Sequence, residues 1–180
     1  MGNRPWPEPR SLGANDKSLR HYLDLLTGAQ VIRLLQPWHE NLGKRQVKSP
    51  KVYLRDSGLL HSLLDVAGWD PLLGHPKLGA SWEGFALEQI LQTTPTRQAW
   101  FWSTHSGAEL DLLLFLNGKR IAIEFKAGAS PVMTKSLHVA RADLKLDHAF
   151  IVHPGEHRYP VAPGVDAIPL PEILTLLPAL

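Results

Sequence analysis

The sequence predicts an α/β fold in which a mixed β-sheet is flanked by helices, and three features of its second half carry that expectation. The elements there run helix, strand, strand, strand, helix, strand, an order that suits helices packed on a mixed sheet. Asn117-Gly118 separates two apolar runs, the strongest short-range signal for a β-hairpin. Those runs, Leu110 to Leu116 and Arg120 to Lys126, read as the two strands flanking that turn, with one apolar face to pack against a core.

Each element has its own signal. Leu19, Tyr22, Leu23 and Leu26 recur at three- and four-residue spacing, so a helix is expected from about Asp16, ended by Gly28. Val31, Ile32, Leu34 and Leu35 then read as a short strand. Helix, turn and strand resemble the second half of a winged helix-turn-helix; a helical hairpin packed on the main domain explains the pattern equally well. Lys44, Arg45, Lys48, Lys51 and Arg55 form a basic stretch. It suits phosphate contacts, but a solvated loop is the commoner outcome. Val52 to Leu54 reads as a strand, Gly58 to Leu64 as a helix, and Gly68 to Gly79 as a loop containing Pro71 and Pro76. Ser81 is expected to cap a helix that reaches about Gln92, with Glu83 in its first turn, before Thr93, Thr94 and Pro95 break it. Ala99 to Trp102 is an aromatic strand. Pro131 to Asp143 reads as a helix with Pro131 in its first turn. His148 to Val152 and Val165 to Ile168 read as strands, and Pro171 to Leu177 as a last helix.

Composition narrows the chemistry. The chain has no cysteine, which excludes disulfides, thiolate zinc sites and a cysteine nucleophile. Net charge is only +2, so nucleic-acid affinity would need a local patch. No apolar run is long enough for a membrane span. No leader opens the chain, and the cytoplasm is the expected location. Met1 to Gly13 is rich in Pro, Gly and Arg and is expected to be a disordered lead-in.

The hairpin register then picks out a candidate site. Counting outward from Asn117-Gly118 pairs Leu116 with Lys119, Leu114 with Ile121, Leu112 with Ile123 and Leu110 with Phe125. The opposite face pairs Asp111 with Glu124 and Glu109 with Lys126. Two carboxylates at cross-strand distance repel, and a divalent cation offsets that repulsion directly; hard oxygen ligands suit magnesium or manganese. Lys126, two residues beyond Glu124, would hold a phosphate or steady developing charge. Glu83 heads the apolar stripe Ala86, Leu87, Ile90 and Leu91, which suits a third ligand, although complementing the helix dipole is nearly as good an explanation. Glu88 lies on a more mixed face. An ordinary Glu109–Lys126 ion pair with Asp111 solvated at a sheet edge also accounts for the hairpin residues. His153 and His157, around Pro154-Gly155, are expected to be surface residues. Trp100 and Trp102 are expected in the core or on a sheet face.

The order Glu83, Asp111 and Glu124-Phe125-Lys126 on helix, strand and strand resembles the PD-(D/E)xK nuclease superfamily. The match covers about Gly79 to Val152. Leu110 stands where that family often has Pro. Ser49-Pro-Lys-Val-Tyr-Leu-Arg-Asp-Ser-Gly-Leu-Leu60, Trp82-Glu-Gly-Phe85 and Ser106-Gly-Ala-Glu-Leu-Asp111 resemble an uncharacterised domain found C-terminal to prokaryotic AAA-type ATPase modules. With a disordered lead-in over residues 1–15 read from composition, the resemblance implies a partial winged-helix-like segment over 16–50 and a restriction-endonuclease-like α/β domain over 51–180. It also implies a magnesium- or manganese-dependent phosphodiesterase site acting on DNA. Glu83, Asp111 and Glu124 would be the metal ligands, with Asp111, Glu124 and Lys126 as the catalytic positions. The implied partners are DNA and an AAA-type ATPase module. The chain itself has no Gly-x-x-x-x-Gly-Lys-Ser/Thr phosphate loop, so it is not the ATPase part. A catalytically inactive nuclease fold serving DNA binding or protein interaction is the alternative.

Overall fold

The computed structural model describes residues 16–40, 43, 46–94 and 96–180; the lead-in, and Lys44 and Arg45 of the basic stretch, lie outside them. Helix α1 (Asp16–Gly28) and strand β1 (Ile32–Leu35) form where the apolar spacing puts them. Much of the apolar side of α1 stays uncovered, with Tyr22, Leu25 and Leu26 exposed. Strand β1 pairs antiparallel with β2 (Lys51–Leu54), tying together residues on either side of position 50.

Helix α2 (Ser57–Leu63) starts at Asp56, whose carboxylate accepts the Leu59 amide at 2.6 Å. The expected loop that follows contains a short helix, α3 (Trp69–Leu73). Pro71 falls in its first turn, where amides lack helical partners and a proline costs little. Helix α4 (Leu78–Thr93) begins three residues before the expected Ser81 cap. Ser81 is internal, and its hydroxyl instead bonds His61 Nε2 at 2.7 Å, joining α2 to α4.

Strands β3 (Ala99–Ser103), β4 (Glu109–Leu116) and β5 (Lys119–Phe125) lie where the sequence places them; β4 and β5 form the expected hairpin, and β3 pairs antiparallel with β4. Asn117 and Gly118 both take positive φ, +48° and +79°, as a type I′ turn requires. Helix α5 (Lys135–Leu144) starts later than Pro131 suggested, because Thr134 caps it through a 3.1 Å bond from the Leu137 amide. Strands β6 (His148–His153) and β8 (Val165–Pro169) occupy the expected positions, and helix α6 (Leu170–Leu176) closes the fold. Between β6 and β8 lies β7 (Tyr159–Ala162), which Pro160 disguises in the sequence. Proline is tolerated there because β7 is an edge strand.

The six-stranded sheet has the order β3-β4-β5-β6-β8-β7, with the β5–β6 and β6–β8 pairs parallel and the rest antiparallel. It is therefore a mixed sheet. Helices α4 and α6 cover one face through Leu87, Ile90 and Ile173, packed on Leu112, Leu114, Ile121 and Ile123. Helix α5 covers the other face through Leu137, Ala140 and Leu144, packed on Trp102, Leu113, Ala122 and Ile151. Double coverage explains why Leu112, Leu113 and Leu114 are all fully buried. No helix among the described residues is long and apolar enough to cross a membrane.

One irregularity shifts the expected register. Trp100 pairs with Leu113 and Trp102 with Leu110, so Phe101 alone opposes Asp111 and Leu112. Such a bulge reverses the in–out alternation of a strand. Leu110 consequently joins Trp102 and Leu113 on the α5 side, not Leu112 and Leu114 as simple alternation predicts. The β4–β5 ladder matches the count from Leu116↔Lys119 to Leu112↔Ile123 and stops there. The further pairs expected from that count, Leu110 with Phe125 and Asp111 with Glu124, are not part of the ladder.

Candidate active site

Where the β4–β5 ladder ends, a cluster of acids and lysines begins. Asp111, freed from regular pairing by the bulge, turns its carboxylate onto the neighbouring strand, and its Oδ2 accepts the Phe125 amide at 3.0 Å. That bond replaces a ladder bond and fixes the Asp111 orientation. Glu83 projects from the middle of α4, not its first turn, so the helix dipole does not explain it. Ala86, Leu87 and Ile90, all fully buried, seat the helix on the sheet and bring Glu83 to the cluster. Tyr53 donates its hydroxyl to Glu83 Oε1 at 2.6 Å.

The cation at the centre is Lys51. Its Nζ lies 3.3 Å from Glu83 Oε1 and 3.5 Å from Asp111 Oδ1, and it also pairs with Glu109. The expected Glu109–Lys126 pairing is replaced by this contact and by a 2.7 Å bond from Lys126 Nζ to Glu124 Oε1. Burial alone would lower the pKa of Lys51. The surrounding oxygens of Tyr53, Glu83, Asp111 and Glu109 outweigh it, so the pKa is raised and the amine stays charged.

Glu124 has the most perturbed environment of the four acids. Its side chain is 7% exposed, and its Oε2 is buried with no hydrogen-bond partner. Burial, reinforced by the charge of Asp111, outweighs Lys126 and pushes its pKa up to about 7. Burial and the Asp111 charge likewise raise the Glu83 carboxyl, against the opposing effects of Lys51 and Tyr53. Burial would lower Lys126, but its bond to Glu124 wins and the pKa rises.

All four acids, Glu83, Glu109, Asp111 and Glu124, therefore belong to one electrostatic neighbourhood, with Lys126 beside Glu124. Among the described residues, no three His, Asp or Glu side chains close together as a ready-made metal shell. The geometry gives the reason: the Lys51 ammonium sits between Glu83, Glu109 and Asp111. The donor chemistry nonetheless fits a hard divalent cation, because it consists of carboxylate oxygens and one of them is a buried orphan. A cavity of about 430 Å³ adjoins the cluster, with Lys51, Tyr53, Glu83, Phe101 and Glu109 on its wall.

Tyr53 was not among the candidates read from the sequence, and Lys51 entered only as part of the basic stretch, not as a partner of the acids. Their two-residue spacing in β2 places both on one face of that strand, which is the signal that would have found them. Neither Lys51 nor Arg55 is a solvated loop residue. Arg55 and Arg33 clamp the buried Glu88 at 2.6 Å each. Burial would raise the Glu88 pKa, but hydrogen bonds from Arg33, Gln92 and Arg55 overcome this and hold it down at about 2. Glu88 is therefore a structural acid. His153 is also buried, at the end of β6, where its Nδ1 accepts the Gly155 amide at 3.0 Å; burial pushes its pKa down. His157 is exposed, as expected.

Residues 78–173, which hold Glu83, Asp111, Glu124 and Lys126, match the model of a domain of unknown function, DUF4143, over more than half of the chain. The chain belongs to the DUF4143 family. A second domain of unknown function, DUF8612, matches residues 9–70, the segment that holds Lys51 and Tyr53. The uncharacterised proteins Rv2008c of Mycobacterium tuberculosis and Mb2031c of Mycobacterium bovis are each 46% identical to this DUF4143 chain over 166 residues. Those matches cover 92% of the chain but only 38% of each relative, so the chain spans under half of the curated relatives' length. No solved structure matches it.

Proposed function

We propose that this DUF4143 chain carries a magnesium- or manganese-dependent, nuclease-like site that acts on or binds DNA. The supporting observation is Glu124: a buried carboxylate with a partnerless oxygen, beside Asp111 and bonded to Lys126. Such a carboxyl is satisfied either by a proton or by a bound cation, and beside Asp111 a hard divalent cation is the occupant we propose. Glu83, Asp111 and Glu124 would hold the ion. Bound there, it would offset their repulsion and supply Lewis-acid polarisation of a phosphodiester.

The chain's own residues have separate tasks in this reading. The Phe125 amide keeps Asp111 oriented. Tyr53 does the same for Glu83. Lys126, whose side chain is 38% exposed, reaches solvent and is placed to take a phosphate oxygen and the charge that grows on it. The mixed sheet with helices on both faces suits a restriction-endonuclease-like core. Helix α1 with the β1–β2 ribbon suits a partial winged helix that reads DNA. An AAA-type ATPase module is the partner we propose for the part of the longer relatives that this chain does not span.

The test is to incubate the protein with single-stranded, duplex and branched DNA in magnesium or manganese, and to repeat it with Lys126→Ala. Cleavage by the wild type that the variant loses is the expected result. No cleavage by the wild type, or equal cleavage by both, removes the catalytic reading. One observation favours a second reading, a nuclease-like fold kept as a docking or DNA-binding platform. Lys51 already neutralises part of the acidic cluster without any metal. In that case DNA binding persists with no cleavage and no dependence on divalent ions.

A further inference from the structure

The position of Lys51 has a consequence of its own, which rests on the metal reading of the same site. Its side chain is 10% exposed and its Nζ contacts carboxylates from two separate elements, Glu83 on α4 and Glu109 and Asp111 on β4. A single ammonium thus stands amid three acids, two of which are proposed metal ligands. A divalent cation on Glu83 and Asp111 would lie within contact distance of that ammonium, and like charges so close repel strongly where little solvent screens them.

The stem of Lys51 has somewhere to go. The residue is anchored through its backbone, paired with Leu35 in the β1–β2 ribbon. It also forms part of the wall of the 430 Å³ cavity beside the site, together with Ser49, Leu60, Lys77 and Phe101. Its four-carbon chain can rotate into that space without any change in strand pairing. The Phe101 ring, 5.4 Å from Nζ, offers a face along the way.

We propose that Lys51 is a tethered counter-ion: its ammonium and a divalent cation are alternative partners of Glu83 and Asp111, and loading the site swings Lys51 out into the cavity. The metal-free protein is then held together at this point by its own lysine. The same lysine weakens metal affinity and, once displaced, presents a positive charge in the cavity beside the site. Lys51 is a positioning residue in this scheme and has no part in bond making.

Manganese titration of the full chain by calorimetry tests this. The Lys51→Met variant keeps the length of the stem and removes the charge; it is expected to bind Mn²⁺ about tenfold or more tighter than wild type. Asp111→Asn is expected to lose binding. Equal or weaker binding by Lys51→Met, with wild-type binding that still depends on Asp111, overturns the role of Lys51 and leaves the metal reading intact. No binding by either wild type or Lys51→Met overturns both. Binding by Lys51→Met alone supports both. The wild-type protein supplies a readout that needs no variant. Labelling of Lys51 by an amine-reactive reagent, followed by peptide mass spectrometry, should rise several-fold when Mn²⁺ is added. Labelling that falls or does not change while Mn²⁺ binds overturns the displacement.

Discussion

Replacing Glu124 with Gln removes a charge from a site that resists one, and the size of the effect follows from the structure. The Glu124 carboxyl goes from an ordinary 4.5 to about 7 on folding. Its side chain is 7% exposed, so solvent screening does little to reduce that shift. Each pKa unit corresponds to ~1.4 kcal/mol, which makes the shift worth about 3 kcal/mol. The sign follows from proton counts. Between pH 4.5 and about 7 the folded chain keeps the proton while the unfolded chain has released it. Folding therefore becomes less favourable as pH rises through that window. The contribution is fully present below 4.5 and gone above about 7. Urea unfolding of wild type and Glu124→Gln, measured at intervals up to about pH 8, reads the contribution of Glu124 together with its coupling to the neighbouring acids. The variant should gain about 3 kcal/mol on wild type across the window. Parallel stability curves, or a wild type that gains on the variant as pH rises, would refute the reasoning.

Glu88→Ala leaves Arg33 and Arg55 facing each other, and because both are only about a quarter exposed the fold should lose about 3 kcal/mol, read as a lower urea midpoint. In the wild type the Glu88 contribution has the opposite pH sense: it is present above 4.5 and is lost as pH falls toward about 2, so the stability gap between wild type and variant should narrow over that range. Gly118→Val puts a β-branched residue at φ +79° in open space, so the cost is backbone strain alone, roughly 1–2 kcal/mol by thermal melting. Leu114→Ala removes a fully buried side chain between α4 and the sheet and should cost ~2–5 kcal/mol in the same assay.

What was legible in the sequence was local. Asn117-Gly118 determined a turn type, and the turn determined the pairing for as long as the ladder stayed regular. The longer helices announced themselves by spacing, but α3 did not, and the starts of α4 and α5 were misplaced. Ser81 has the right chemistry for a cap and is used elsewhere, whereas Thr134 caps α5 three residues past the proline that looked like its beginning. The bulge at Asp111 was not legible, because it is a property of the pairing between β3 and β4, and counting from the turn sees only β4 and β5. Yet it is the bulge that turns Asp111 toward the Phe125 amide and Lys51. The candidate acids were visible as residue types on a hairpin and a helix. The lysine between them was hidden, because β2 lies well outside the hairpin in sequence and its partners are brought to it only by tertiary packing.

Crystals grown with manganese, with data collected at a wavelength where manganese scatters anomalously, test the central claim most directly. An anomalous peak in contact with Glu83, Asp111 and Glu124, with the Lys51 side chain turned into the cavity, is the result expected. Saturating manganese that leaves no peak there, with Lys51 Nζ still between Glu83 and Asp111, would mean that the lysine is the permanent cation of this site.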